Sequence, residues 1–181
     1  VDLNYVRELH KVVMKSLLLS HELGVVRTTD VQVAGAQYAP LTDPSRLGAE
    51  LKFLLSQAQQ YADPFEQAIH LHCNLAYLLY FRAGNKRCSR LLQTAALVRS
   101  DVLPLLFKDS LIGKYQKATV HYYETGDYAP YVEFFKENYE LAVYALAGRP
   151  AEQQYYQGAS ESDEFERRIS ALPELAAGVG A

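Results

Sequence analysis

One stretch, Phe81-Arg82-Ala83-Gly84-Asn85-Lys86-Arg87-Cys88-Ser89-Arg90, constrains this chain more than any other. A largely apolar run, 65–79, leads into it and a second, 91–99, follows. Gly and Asn tolerate positive φ and are common at helix ends, so Gly84-Asn85 is the natural break between two helices. The second helix is expected to open at about Lys86, with free N–H groups and the positive end of its dipole facing the loop. Such an end is a ready anion site. Arg87 and Arg90, spaced i and i+3, share a face of that first turn and are placed to grip one anion. Basic residues crowding a helix start oppose the macrodipole, which calls for something negative to compensate them. The plainer alternative leaves Lys86 and Arg87 solvated and pairs Arg90 with a carboxylate elsewhere.

The stretch resembles the motif of the Fic domains (Fic/Doc superfamily), His-Pro-Phe-x-Asp/Glu-Gly-Asn-x-Arg-x-x-Arg, which lies between two central helices. The aligned residues here run Leu79, Tyr80, Phe81, Arg82, Ala83, Gly84, Asn85, Lys86, Arg87, Cys88, Ser89 and Arg90. Leu9-His10-Lys11 resembles the opening pattern of the family. Gly24 to Thr28 with Val31 to Gly35 resembles its flap hairpin, and Ala68 to His72 its approach to the motif. Tyr115 and Gly126-Asp127-Tyr128 resemble the helical segments that follow, so the likeness covers about residues 3–145. It implies an all-α bundle of about six to eight helices with a small β-hairpin flap around 25–35. The function it implies is transfer of AMP from ATP to a protein hydroxyl.

Departures from the motif bear on that function. In the family the motif His takes the proton of the target hydroxyl, and the acidic residue four positions later holds Mg²⁺ on the phosphates. Leu79 and Ala83 stand there. Leucine accepts no proton and alanine ligates no metal. Loss of a general base alone typically costs ~10²–10⁴-fold in rate. The phosphate-binding half, Gly84, Asn85, Lys86, Arg87 and Arg90, is kept, with Phe81 supporting it. ATP or another nucleotide is therefore the implied ligand, and Mg²⁺ has no motif ligand. His72 and His70 precede Leu79 on the same helix. His72 lies two turns back, about 10 Å along the axis, too far to serve the same proton.

Three readings follow. The first is an impaired, nucleotide- or phosphate-binding member, a pseudoenzyme or regulator. The second is a transferase with altered chemistry, and the third an interaction module using the flap edge. Leu79 and Ala83 weigh against the second, the retained Gly-Asn-x-Arg-x-x-Arg against the third. Arg27, Thr28, Val31 and Val33 are the flap residues expected to dock a target or regulator protein by strand addition. Ser162 to Glu166 fits the start of the inhibitory helix of the family, Ser/Thr-x-x-x-Glu, which would pair Glu166 with Arg90. Arg167 follows where Gly or Asn is expected.

The rest of the chain fits a globular domain over 1–150 and a polar tail over 151–181 with one short helix that frays at its end. Hydrophobic content of 49% with 22% charged residues is ordinary for such a domain. A net charge of −3 argues against a dedicated nucleic-acid binder, whose footprint is basic. The tyrosines of the second half fall at helical spacing, which favours packing over a base-stacking surface. Two cysteines, Cys73 and Cys88, read as reduced thiols rather than a disulfide framework. Cys73 reads as buried, while Cys88, at a helix start between arginines, is the candidate for a lowered pKa. No run approaches the ~20 apolar residues of a membrane span. No leader pattern is present, and the chain opens on Val1, so a cytoplasmic protein or an excised domain of a larger, secreted-effector type is expected. Helices are predicted over about 3–23, 45–61, 65–79, 86–99, 110–124 and 128–146, with Asp43 or Ser45 capping the second and Asp63-Pro64 opening the third.

Overall fold

The computed structural model describes residues 1–33 and 35–147. Six α-helices occupy them: α1 Leu3–Met14, α2 Pro44–Ala58, α3 Pro64–Leu78, α4 Asn85–Val98, α5 Ile112–Thr125 and α6 Ala129–Leu146. Short 3-10 turns lie at Ser20–Glu22 and Asp109–Leu111. The chain packs as two compact units that divide after Val102.

Local capping chemistry sets the starts of the first three helices. The Asp2 carboxylate accepts the Tyr5 N–H at 2.8 Å, and Asp63 accepts the Phe65 N–H at 2.7 Å. Asp43, rather than Ser45, caps α2 and accepts the Ser45 N–H and hydroxyl at 2.8 and 2.7 Å. Each side chain satisfies an amide that the first turn leaves without an intrahelical partner. Pro44 and Pro64 follow their caps directly, where a missing N–H costs nothing.

In the first unit α3 and α4 form an antiparallel pair, with α2 against α3 and α1 against α4. Leu47, Leu51, Ile69, Leu71, Leu75, Phe81, Leu92 and Leu97 are fully buried there. His70 ties α2 to α3: its Nε2 lies 3.1 Å from the Leu54 carbonyl, and Nδ1 lies 3.2 Å from the Asn74 amide nitrogen. In the second unit Phe107, Tyr115, Tyr131 and Phe134 pack with ring centroids 5.3 to 6.3 Å apart. Tyr122 and Tyr128 are buried and joined through their hydroxyls at 3.1 Å. These rings are core packing, as their helical spacing predicted.

Two expectations are corrected. The first helix ends at Met14 instead of running to residue 23. A helix continued that far would carry Gly24 about 21 Å from His10 at 1.5 Å per residue. Instead the Gly24 amide reaches back to His10 Nδ1 at 2.9 Å, so tertiary contact overrides the apolar periodicity. The second correction concerns the β-hairpin flap: no strand is assigned over 25–33. The Arg27 amide bonds the Tyr80 carbonyl at 3.0 Å, across to the loop after α3. A short β-branched run needs a partner to become a strand, and an isolated two-stranded hairpin is marginal. The expected Arg90–Glu166 pair and the tail helix lie outside the described residues.

No described helix is long and apolar enough to cross a membrane.

Candidate functional site: the loop between α3 and α4

The loop Leu79–Gly84 begins and ends in the left-handed region. Leu79 closes α3 at φ 48 and ψ 48, and Gly84 opens α4 at φ 80 and ψ 0. For a non-glycine residue that conformation costs roughly 1–2 kcal/mol, so Leu79 is held there by its surroundings. Arg27 is what holds it. Its Nε donates to the Leu79 carbonyl at 2.6 Å, and its other nitrogens donate to the carbonyls of Thr29 (3.2 Å) and Leu41. Only 3% of Arg27 is exposed, so this residue, expected at a docking edge, faces inward. Thr28 is exposed, while Val31 and Val33 are half-buried.

Within the loop, Asn85 is a brace. Its side chain accepts the Phe81 N–H at 2.9 Å and donates to the Phe81 carbonyl at 2.7 Å, closing the turn. Phe81 stacks on His10 of α1 at 3.8 Å and 15°. His10 Nε2 lies 3.1 Å from the Ala83 carbonyl. Met14, one turn further along α1, fills the space beside Gly84. A Cβ on Gly84 would sit 2.6 Å from the Met14 sulfur, so the close approach needs glycine as well as the positive φ.

Beyond Gly84 the amides of the first turn of α4 begin, and no side chain caps them. No acidic residue lies in that turn. Lys86 is half-buried and its pKa is lowered, chiefly by burial and then by the Arg90 charge. Arg87 is exposed, with one guanidinium nitrogen 3.4 Å from the Met14 sulfur; Arg90 is half-buried. Arg82 points to solvent and pairs with Glu22, which lowers the pKa of that carboxyl. The arrangement presents backbone donors and cations together, a combination that binds anions.

Leu79, at one end of this loop, is buried, and Ala83, at the other, is partly exposed. Among the described residues no group of three or more His, Cys, Asp or Glu side chains is placed to hold a metal ion. His72 is fully buried, and burial, followed by the Arg90 charge, pushes its pKa down to about 3. A base that weak and that enclosed takes no proton from a substrate at neutral pH. His70 is likewise lowered by burial. Cys88, the candidate for an activated thiol, is corrected. It is fully buried, and desolvation raises its pKa to about 12 despite the nearby Arg87, so it is inert.

A pH dependence of stability follows. His72 stays neutral in the folded chain, whereas in the unfolded chain it protonates near 6.5. The unfolded state therefore binds more protons below that pH. The contribution of His72 to folding stability is expected to be level above about pH 6.5 and to fall below it, by up to about 1.4 kcal/mol per pH unit, until about pH 3. Urea midpoints for the chain and His72→Gln check this, the variant losing the steepest part of the slope.

His10 and Met14 carry as much of the loop's geometry as the motif itself. Their signal in the sequence was their i, i+4 spacing on one face of a helix, which says nothing about the distant loop that face meets.

A model of the Fic/DOC family matches residues 1–97. Two curated relatives, each called protein adenylyltransferase fic-1, come from Caenorhabditis briggsae and Caenorhabditis elegans. Each is 28% identical over 128 and 131 residues respectively, which is 70% of this chain and 25% of the relative. The chain thus spans about a quarter of the length of the curated relatives it matches. A solved structure of Fic-1 from C. elegans superposes with a TM-score of 0.66 at 22% identity, over 82% of this chain and 43% of that one. The BepC protein, a VirB-translocated effector from Bartonella tribocorum solved with bound AMPPNP, gives 0.59 at 17% identity, over 76% and 73%. At these identities the solved structures show a shared fold.

Proposed function

Since this chain belongs to the Fic/DOC family, we propose that it is an impaired member: it binds a nucleotide or another phosphate compound at the start of α4 and transfers AMP slowly or not at all. One observation carries this reading. The buried, apolar Leu79 occupies the position of the motif base, a few residues from an uncapped helix start flanked by Lys86, Arg87 and Arg90. The chemistry of proton abstraction is missing where the phosphate donors are kept. ATP is the ligand we favour. The curated relatives are named adenylyltransferases, and the BepC neighbour was solved with an ATP analogue. Ala83 supplies no oxygen to Mg²⁺, so binding would rest on cations and amides.

The partner we favour is a protein. Thr28, Thr29 and Asp30 are exposed and belong to no helix, so this stretch beside Val31 and Val33 is accessible to a partner segment that docks by strand addition. Docking there would act next to Arg27, and through it on the loop.

Calorimetric titration with ATP, with and without Mg²⁺, on the parent chain and on Arg87→Ala tests the proposal. Heat is expected from the parent chain with either metal condition. In Arg87→Ala the affinity is expected to fall by about tenfold or more, the worth of a charge-assisted hydrogen bond. No heat at millimolar ATP would leave the loop as scaffold and turn attention to protein partners.

A further inference from the structure

We infer that His10 is the positioning residue of the anion loop, a neutral imidazole that joins α1, the Gly24 turn and the peptide unit entering α4. Its consequence for ligand binding rests on the phosphate reading above; its role in shaping the loop does not.

His10 is fully buried and makes one contact with each of three points. The Gly24 amide donates to Nδ1 at 2.9 Å. An amide N–H only donates, so Nδ1 carries a lone pair and the ring proton sits on Nε2. Nε2–H then donates to the Ala83 carbonyl at 3.1 Å, and a carbonyl only accepts. The two bonds select one tautomer between them. The ring face is fixed by stacking on Phe81 at 3.8 Å.

This bond bears on the anion site through the peptide plane. The Ala83 carbonyl and the Gly84 N–H belong to one trans peptide unit and point in opposite directions. Holding the carbonyl toward His10 therefore turns the Gly84 amide away from α1. Met14, at i+4 on the same face, packs beside Gly84 and meets Arg87. One face of α1 thus sets the entry into the first turn of α4.

Protonation would undo it. An imidazolium places N–H at Nδ1 against the Gly24 N–H, two donors facing. Charged side chains lie on each of the neighbouring segments. Arg7 on α1 donates to the Gly24 carbonyl at 2.7 Å. Lys11 on α1 is paired with Glu8, and Arg82 of the loop with Glu22 of the 3-10 turn. Arg87 on α4 lies against Met14. Burial also lowers the His10 pKa, with the Ala83 carbonyl partly opposing it. The clamp holds at neutral pH and opens on acidification.

The test follows the imidazole nitrogens of His10 and the backbone amides of Gly84 to Arg87 by NMR, between about pH 5 and pH 8. It uses the whole chain and the variants His10→Gln and His10→Ala. Sulfate serves as the anion because its charge is constant over that range. The expected result is a protonated Nε2 and bare Nδ1 at neutral pH, with the loop amides shifting at the same midpoint as His10. His10→Gln, whose amide both accepts and donates, should keep the parent's loop shifts and sulfate affinity. His10→Ala should displace the loop amides, leave those of α5 in place, and weaken sulfate binding by about tenfold. A proton on Nδ1, or loop amides unmoved in His10→Ala, would overturn the inference. If His10→Ala does not fold, the parent titration and His10→Gln decide alone. If sulfate binds none of the chains, the amide shifts still judge His10, and the ATP titration judges the phosphate reading.

Discussion

The double replacement Leu79→His with Ala83→Glu is expected to raise AMP transfer from labelled ATP to protein hydroxyls by about 10²–10⁴-fold, and only with Mg²⁺ present. The backbone at residue 79 is already suited to the change. Its φ of 48 and ψ of 48 fall in the left-handed region, where histidine is enriched among non-glycine residues and leucine is not. Ala83 is partly exposed, so a longer side chain there has solvent to extend into. The single replacements should each gain far less. A base without metal neutralisation leaves the phosphate charge unanswered, and a metal ligand without a base leaves the hydroxyl protonated. Label incorporated into the chain itself or into added protein is the readout. A double variant that folds, binds ATP and transfers no faster than the parent would sink the explanation that these two positions cause the proposed impairment.

Arg27→Ala is expected to destabilise the fold by about 3 kcal/mol in urea unfolding, the largest loss among single changes near the loop. Hydrogen bonds from a charged group are worth roughly 1.5–3 kcal/mol each, and this guanidinium makes three, to Leu79, Thr29 and Leu41. Water that enters the space will re-solvate part of what is lost, which keeps the total below the sum. Relaxation of the αL strain at Leu79 offsets a further part, because Arg27 is the group that restrains that carbonyl. Arg27→Lys should recover only part of the stability, since a single ammonium cannot reproduce the planar fork. A loss under about 1 kcal/mol in Arg27→Ala would mean the three carbonyls are satisfied as well by water.

These two residues also mark where the sequence was legible and where it was not. The Gly84-Asn85 break was readable because it depends on backbone freedom and short-range capping. The structure places the helix start at Asn85, within one residue of the expected Lys86. Asp43 and Asp63 were readable for the same reason, each bonding an amide two residues on. The order of motif pieces over Leu9 to Arg90 was enough to place the chain in its family.

Direction was not readable. Arg27 in a β-branched run looks like an edge residue, yet its Nε bonds the Leu79 carbonyl, 52 positions away in sequence. His10 meets a carbonyl 73 positions away, and no local pattern announces it. The end of the first helix was misjudged because an apolar period of 3.6 continues through Leu17 and Leu18, while the chain turns to bring Gly24 back onto His10. By itself the sequence determined where most of the helices lie, the Asp43 and Asp63 caps and the Gly84-Asn85 break. Those depend on residue identity and contacts within a few positions. Only the tertiary structure decided how the loop is held: Arg27 inward on Leu79, His10 on Ala83, and Met14 beneath Gly84. Such contacts arise when distant segments bury their polar groups together, and burial is a property of the packed chain.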